Sequence, residues 1–353
     1  MRQHPEGTEG ELEHQGIKKG VRCLTQWLSK GLAVSIFLAF LLLIAYGLSP
    51  LCPELAFESS VSNTAPFRDS RITIDNPYTG GIPFKGQLHA HTTNSDGSLS
   101  PVELATLYKD SGYHFLAITD HGHLTQNPNV PGIIHLNGME MKTNEGHIMV
   151  YGVRSRIWHS EWSMVSDDRA QRTINTVADS RGLSGLAHPN APAVLWTNEE
   201  IGSLSGFAFI EVCNGDSEAE DKWDYALSNT SLRKVWGTAV DDFHRLEHLN
   251  KGWVVVYAHE LSVCSILCSL SMGNFYATQG PDMNISVSDT TITIAVSDPS
   301  SITWKGCNGI IRSDKGKMLS TYKPDGTEKY IRVVIIRDSD GKKAWSQPLF
   351  THK

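Results

Sequence analysis

Side chains that could hold divalent cations crowd the stretch from Phe84 to His121, FKGQLHAHTTNSDGSLSPVELATLYKDSGYHFLAITDH, which carries His89, His91, Asp96 and His121. On a β-strand, residues two apart share a face, so His89 and His91 offer two imidazoles to one point while Leu88 and Ala90 turn into packing. Further along, Glu140 stands in LNGMEM, His147 in EGHIMVYG, His188 in GLAHPN, and Asp242 with His244 in AVDDFH. Each lies at or just past the end of an apolar run. A lone histidine is ordinarily a core or surface residue. With 15 His in 353 residues, it is their joint recurrence at strand ends, together with Asp96, Glu140 and Asp242, that points to a metal cluster.

Mixed imidazole and carboxylate ligands suit Zn, Mn or Fe better than Mg, which prefers an oxygen shell. Two such ions about 3.5–4 Å apart can share a bridging hydroxide, bring the pKa of its parent water towards neutrality and clamp both oxygens of an in-line displacement. That chemistry is hydrolysis of an ester, most naturally a phosphoester. No motif supports a rival chemistry: the chain has no GxSxG, no Gly-rich phosphate loop with Lys and Ser/Thr, and no dinucleotide fingerprint after a strand.

Short apolar runs alternating with helical patterns position these residues. The spacing predicts strands over Lys85–His91, His114–Thr119, Ile133–Met139, His147–Val153, Leu183–Ala187, Phe207–Val212, Val235–Val240 and Trp253–Tyr257. It predicts helices over Pro101–Ser111, opened by Ser100 as cap and Pro101 in the first turn, and over Asp167–Arg181. Repeated strand and helix units of this size imply a parallel α/β fold, and ligands recurring at strand C-termini favour a barrel. Towards the C-terminus the pattern changes to strands at Ile285–Val287, Thr291–Val296, Ile302–Trp304 and Tyr330–Arg337, joined by turns such as Lys323-Pro324-Asp325-Gly326.

Residues 1–30 are polar and read as a disordered cytoplasmic tail. Residues 31–51, GLAVSIFLAFLLLIAYGLSPL, carry no charge and match a hydrocarbon core of roughly 30 Å as a transmembrane helix. Lys18, Lys19, Arg22 and Lys30 precede it and the first basic residue after it is Arg68, which places the N-terminus in the cytoplasm and the rest outside, in a single-pass arrangement. Ala45-Tyr46-Gly47 would also serve signal cleavage, but the leader before the apolar core is long for a signal peptide. A linker over 52–81, a metallohydrolase barrel over 82–275 and a β-rich extension over 276–353 complete the expected organisation. Six cysteines are too few and scattered for a disulfide framework, and a net charge of -7 argues against a general nucleic-acid surface.

The succession HAHTTNSDG, ITDHG, GMEM, HIMVYG, AHPN, IEVCNG and DDFH resembles the PHP family, the polymerase and histidinol phosphatase domain, over roughly Ile82 to His259. The resemblance implies a distorted (β/α)7 barrel with a di- or trinuclear centre at its strand C-termini. The NFYATQGP and AWSQP segments resemble the β-extension of a branch that includes carbamate and ester hydrolases. Carried over by motif, His89, His91, Glu140 and Asp242 hold the first ion. Glu140, His147 and His188 hold the second, and Asp96, His121 and His244 the third. Asp120 would orient a ligand or accept a proton, His123 would protonate the leaving group, and Glu211 and Asn214 would stand behind the ligands or touch substrate. The family's basic residue for a substrate phosphate could be Lys142, Arg154, Arg169 or Lys251.

The resulting expectation is a membrane-anchored phosphoesterase with two or three divalent ions (Mn, Zn or Fe). It would act on a small phosphomonoester, nucleotide or oligonucleotide end, nucleic acid being a partner only as substrate. The alternatives are hydrolysis of a carboxylic ester, carbamate or amide at the same centre, and a non-catalytic metal-binding ectodomain.

Overall fold

The computed structural model describes residues 72–157, 169–192, 194–229 and 234–353. The expected tail, membrane helix and most of the linker lie outside the described residues. Among those described, no helix is long and apolar enough to cross a membrane.

Strands and helices alternate through the first two thirds of the described chain: β1 (Thr73–Asp75), β2 (Ile82–Gln87), α1 (Pro101–Asp110), β3 (Phe115–Ile118), β4 (Ile134–Lys142), β5 (His147–Tyr151), α2 (Arg169–Asp179), β6 (Leu183–Leu186), α3 (Asn198–Ser203), β7 (Phe209–Asn214), β8 (Ser217–Glu218), α4 (Glu220–Ser228), β9 (Trp236–Val240), β10 (Trp253–Ala258) and α5 (Val263–Met272). Parallel pairs β2–β3 and β3–β4, antiparallel pairs β4–β5 and β5–β6, and parallel pairs β6–β7 and β7–β9 run round a ring. Just past β2 and β9, Ala90 bridges Phe243 in parallel and the His91 N–H donates to the Phe243 carbonyl at 2.8 Å, which closes it.

The regular strand and helix alternation expected from the spacing is broken at β3 to β5, at β7 to β8 and at β9 to β10, where no α-helix intervenes. A loop joins β3 to β4 and a tight turn joins β4 to β5, so β5 runs against its neighbours. Thr143 makes that turn by taking the Gly146 carbonyl on both its N–H and its hydroxyl.

Local chemistry explains the helix starts. Ser100 caps α1 with a full capping box to Glu103, and Thr197 does the same for α3 with Glu200. Helix α1 buries Leu104, Ala105 and Tyr108 against Leu116 and Ile118 of β3, and α2 buries Ala170, Ile174 and Val177. Each buried Leu, Ile or Val among them contributes about 1.5–3 kcal/mol. Inside the ring sit Leu88, Leu136, Met149, Phe209 and Val240.

The C-terminal part is all-β as expected: β11 (Phe275–Thr278), β12 (Asn284–Ser288), β13 (Thr291–Gly306), β14 (Gly309–Tyr322), β15 (Tyr330–Arg337), β16 (Lys343–Trp345) and β17 (Leu349–His352). Two strands predicted apart, Thr291–Val296 and Ile302–Trp304, are one long β13. Its partner β14 has no counterpart in the sequence reading, because its face is largely exposed and shows no apolar alternation. The extension continues the barrel's hydrogen bonding, since β2 pairs with β10, β10 with β11, and β11 with β16. Residues 72–81, expected as linker, supply β1, which pairs with β17.

Candidate metal centre

Strand β2 ends at Gln87, four residues short of the expected His91, because the Gln87 side-chain oxygen accepts the N–H groups of Leu88 and His89 at 2.9 and 3.1 Å. The bridge to Phe243 keeps the chain extended all the same. Leu88 and Ala90 are fully buried, Leu88 inside the ring and Ala90 against α1, and His89 Nε2 and His91 Nε2 meet at 3.0 Å.

Around that pair the remaining predicted ligands converge. His89 Nε2 lies 3.4 Å from Glu140 Oε2 and 3.1 Å from Asp242 Oδ1, and His91 Nε2 lies 3.3 Å from each. Glu140 is encircled by imidazoles. Its Oε2 is also 3.1 Å from His121 Nδ1, and its Oε1 is 2.7 Å from His147 Nδ1 and 2.8 Å from His188 Nε2. Nearer solvent, Asp96 Oδ2 faces His121 Nε2 at 3.4 Å and His244 Nε2 at 3.5 Å, and the His244 ring stacks on His91 at 4.4 Å between centroids. All nine predicted ligands are therefore brought together.

The ligand groups differ from the three sets carried over by motif, in which only Glu140 was shared. The atoms able to share a cation group as His89, His91 and Glu140; as His121, Glu140 and His147; and as His91, Asp96, His121 and His244. His91 and His121 each belong to two groups, while Asp242 and His188 flank the ones they were expected to complete.

Ligands about 2.1 Å from a shared cation stand roughly 3.0 Å apart on an octahedron and roughly 3.4 Å apart on a tetrahedron. The distances among His89, His91, Glu140 and Asp242 fall in that band. Hydrogen bonding accounts for only part of the cluster: His89 Nε2 and His91 Nε2 can share a proton, whereas Asp242 Oδ1 and His121 Nδ1, though buried within 3.1 Å of neighbouring ligand atoms, make no hydrogen bond, and His188 Nδ1 has no partner. A buried polar atom left in this way is costly unless something else binds it. The donor set and its orphaned atoms fit divalent cations.

Burial alone would lower the His89 imidazole, but the carboxylates of Asp242, Glu211 and Glu140 outweigh it and hold His89 well above the ordinary histidine value. His91 is raised in the same way to about 9, burial being overcome by Asp242 and Glu140. Glu140 is held far below the ordinary carboxyl range, its burial overridden by His89, His147 and His188. Backbone geometry is strained at the same place: His188 and Asp242 have φ of 28° and 49°, a region that residues with a side chain seldom enter.

Residues behind the ligands fix their orientation. Glu211 Oε1 sits 2.7 Å from His89 Nδ1, and its Oε2 accepts the His188 N–H at 2.7 Å and the Asn214 amide at 2.8 Å. A proton kept on Nδ1 turns the Nε2 lone pair of His89 towards the centre. Asp120 is buried and saturated, accepting the Thr92 N–H and hydroxyl and the hydroxyls of Ser95 and Thr125. It braces the turn that presents Asp96. Gly97 is needed there, since a Cβ would lie 2.2 Å from the His91 carbonyl oxygen. His123 is exposed on the rim beyond His121, its N–H donating to the Asp120 carbonyl at 3.2 Å.

Two contributors escaped the sequence reading. His248 Nδ1 lies 3.2 Å from the His244 N–H and 3.0 Å from the Asp242 carbonyl, and its spacing of four from His244 in DDFHRLEH was the available signal. Asp241 accepts the N–H groups of Asn250, Lys251 and Gly252, a role that the sequence does not mark.

No protein-family model and no curated protein matches the chain. Among solved structures it is similar to a two-domain protein of Bacteroides vulgatus containing a predicted PHP-like metal-dependent phosphoesterase, with 15% identity, a TM-score of 0.45, and 81% of this chain and 91% of that one covered. It is also similar to a proposed metal-dependent phosphoesterase of Bifidobacterium adolescentis, at 16% identity and a TM-score of 0.35 over 48% of this chain and 90% of that one. A third similar structure is an amidohydrolase of Chromobacterium violaceum, at 17% identity and a TM-score of 0.34 over 45% of this chain and 87% of that one.

Proposed function

We propose that the chain is a metal-dependent hydrolase of the PHP type, its seven-stranded ring being the distorted barrel of that family, and that it cleaves phosphoesters. The observation that carries this reading is the set of ligand-atom separations among His89, His91, Glu140 and Asp242, which are those of a coordination shell. Glu140, facing five imidazoles from its two oxygens, is suited to bridge ions. Divalent cations bound there would supply positive charge against a developing oxyanion and acidify a water.

The protein's own groups do the rest. Glu211 holds His89, and the Asp242 carbonyl, 2.9 Å from His244 Nδ1, accepts its proton and leaves Nε2 facing the centre. Asp120, expected to orient a ligand or accept a proton, and Glu211, expected to stand behind the ligands or touch substrate, are read here as positioning residues because hydrogen bonds occupy their carboxylates. His123, on the open rim, is the side chain placed to meet a leaving group. A single-pass anchor with the barrel outside the membrane completes the proposal and rests on the charge bias about residues 31–51.

The test is phosphate release from phosphomonoesters and nucleotides by the manganese-loaded full-length protein, with His89→Ala as control. Release that disappears in the variant establishes the reading. A protein that retains its ions, releases no phosphate and hydrolyses a carboxylic ester or carbamate would replace it with the alternative.

A further inference from the structure

Two asparagines of the chain stand in the pattern Asn-x-Ser/Thr with x other than proline, Asn229-Thr230-Ser231 and Asn284-Ile285-Ser286. That pattern is the acceptor for N-linked oligosaccharide, a bulky hydrophilic group that a folded domain tolerates only on an open surface. The pattern is short, and it is the structure that separates the two. Asn229 is half-buried at the end of α4, where its N–H donates to the Tyr225 and Ala226 carbonyls at 3.1 and 3.3 Å. Its amide also lies close to Gly202, since a Cβ there would stand 3.1 Å from Asn229 Nδ2. Asn284 opens β12, which pairs with β13 alone among the described strands. Along β12, Ile285 and Val287 pack on the cluster of Ile292, Ile294, Ile302 and Trp304, while Asn284, Ser286 and Ser288 are exposed. The asparagine and the serine that the pattern requires therefore share one solvent face, and the variable residue between them turns inward. A strand paired on one side also leaves a row of N–H and C=O groups open to association, and such edges are commonly covered. A glycan at the first residue of β12 would cover this one.

We propose that Asn284 is an N-glycosylation site. The inference rests on the reading of residues 31–51 as a single-pass anchor with the barrel outside, and it names a modification that follows from that side of the membrane. The co-reactant is an oligosaccharide carried on a polyprenyl pyrophosphate. The Asn284 amide nitrogen attacks the anomeric carbon, a C–N bond forms as the C–O bond to pyrophosphate breaks, the amide gives up one proton, and polyprenyl pyrophosphate leaves.

The experiment translates the full-length chain in a cell-free system containing endoplasmic-reticulum microsomes and reads gel mobility before and after endoglycosidase, together with protease protection of the barrel. The wild type should give a protected band of lower mobility that endoglycosidase returns to the position of the unmodified chain. Asn284→Gln and Ser286→Ala should lose the shift, whereas Ser286→Thr, which keeps the hydroxyl, and Asn229→Gln should retain it. A barrel that is protected yet unshifted, a wild-type mobility in Asn284→Gln, or a shift lost in Asn229→Gln instead would overturn this inference and leave the topology standing. A barrel open to protease would overturn the topology, and this inference with it.

Discussion

Two buried clusters of charge in this chain use similar side chains and reach opposite electrostatic situations. Where the extension meets α4, fully buried Arg332 donates to both oxygens of Asp224 at 2.8 Å and to Glu220 at 2.9 Å, and lies over Trp223 at 4.7 Å. Lys305 and the Trp345 indole complete Glu220 at 2.7 and 3.0 Å. Cations alternate with anions, and of the polar atoms in this cluster only Arg332 Nη1 lacks a partner. Despite burial, Arg332 and Lys305 hold the Glu220 carboxyl down at about 2. At the candidate metal centre, by contrast, nitrogen faces nitrogen across 3.0 Å, and Asp242 Oδ1 and His121 Nδ1 are buried beside other ligand atoms without a hydrogen bond. The first cluster is complete in itself. The second is arranged around something it must bind, and burial by itself does not tell the two apart.

The sharpest way to break that distinction is to remove one carboxylate from each cluster or its cation and read both metal content and stability. Glu140→Gln should cut turnover by at least about 10³-fold and lower the bound metal measured by plasma emission, since one carboxylate serves two ligand groups. A variant that keeps its metal and its rate would refute the assigned centre. Arg332→Ala should do the reverse. Stranding Glu220 and Asp224 should cost about 3–5 kcal/mol in urea unfolding while metal per folded chain stays as in the wild type. Lost metal without lost stability would mean that the joint belongs to the site.

The two clusters also differ in how much of them the sequence showed. Most of the ligands were legible because they stand at the end of an apolar run, although His147 opens β5 and Asp96 lies in the turn beyond β2, and the structure brings all nine to one place. Their sharing was not legible: whether His91 serves one group or two depends on the turn at Thr92–Gly97, which Asp120 and Gly97 set in three dimensions. The same limit hid the role of Asp120, whose partners Thr92 and Ser95 lie in that turn and Thr125 in another loop. Helix α3 could have been read from Thr197 and Glu200 as a capping box, and α4 from its run of helix formers. The joint was out of reach, because Glu220 and Arg332 are adjacent only after the extension folds back. Strand β14 escaped because its exposed Ile310, Met318 and Leu319 follow no alternation.

A finer test concerns the groups behind the ligands. Glu211→Gln should weaken metal binding about 10–100-fold in chelator competition while leaving the fold intact, because the amide no longer stabilises the proton on His89 Nδ1 as the carboxylate does. Loss as complete as that of Glu140→Gln would make Glu211 a ligand itself rather than its support.

The smallest expected effect is on pH dependence, and there the comparison turns on what separates the carboxylates. Without a cation, protons on His89, His91 and His188 must do so, which is why their pKa values are raised against the pull of burial. A raised histidine stabilises the folded state fully below its unfolded value of about 6.5 and ceases to do so as pH climbs through its folded value, about 9 for His91. Glu140 and Asp242 are depressed, so their contribution is present above the ordinary carboxyl range and lost as pH falls below it. Chelator-treated protein should therefore be most stable between about pH 4.5 and 6.5 and lose on the order of 1–3 kcal/mol from pH 6.5 to 9. Manganese-loaded protein should not show that loss, because deprotonated imidazoles bind the ion better as pH rises. Glu220 is depressed by a permanent cation, so Arg332 stabilises the joint equally across this window, with or without metal. Melting curves of the two preparations that run parallel from pH 6.5 to 9 would mean that the centre, like the joint, is satisfied by its own residues.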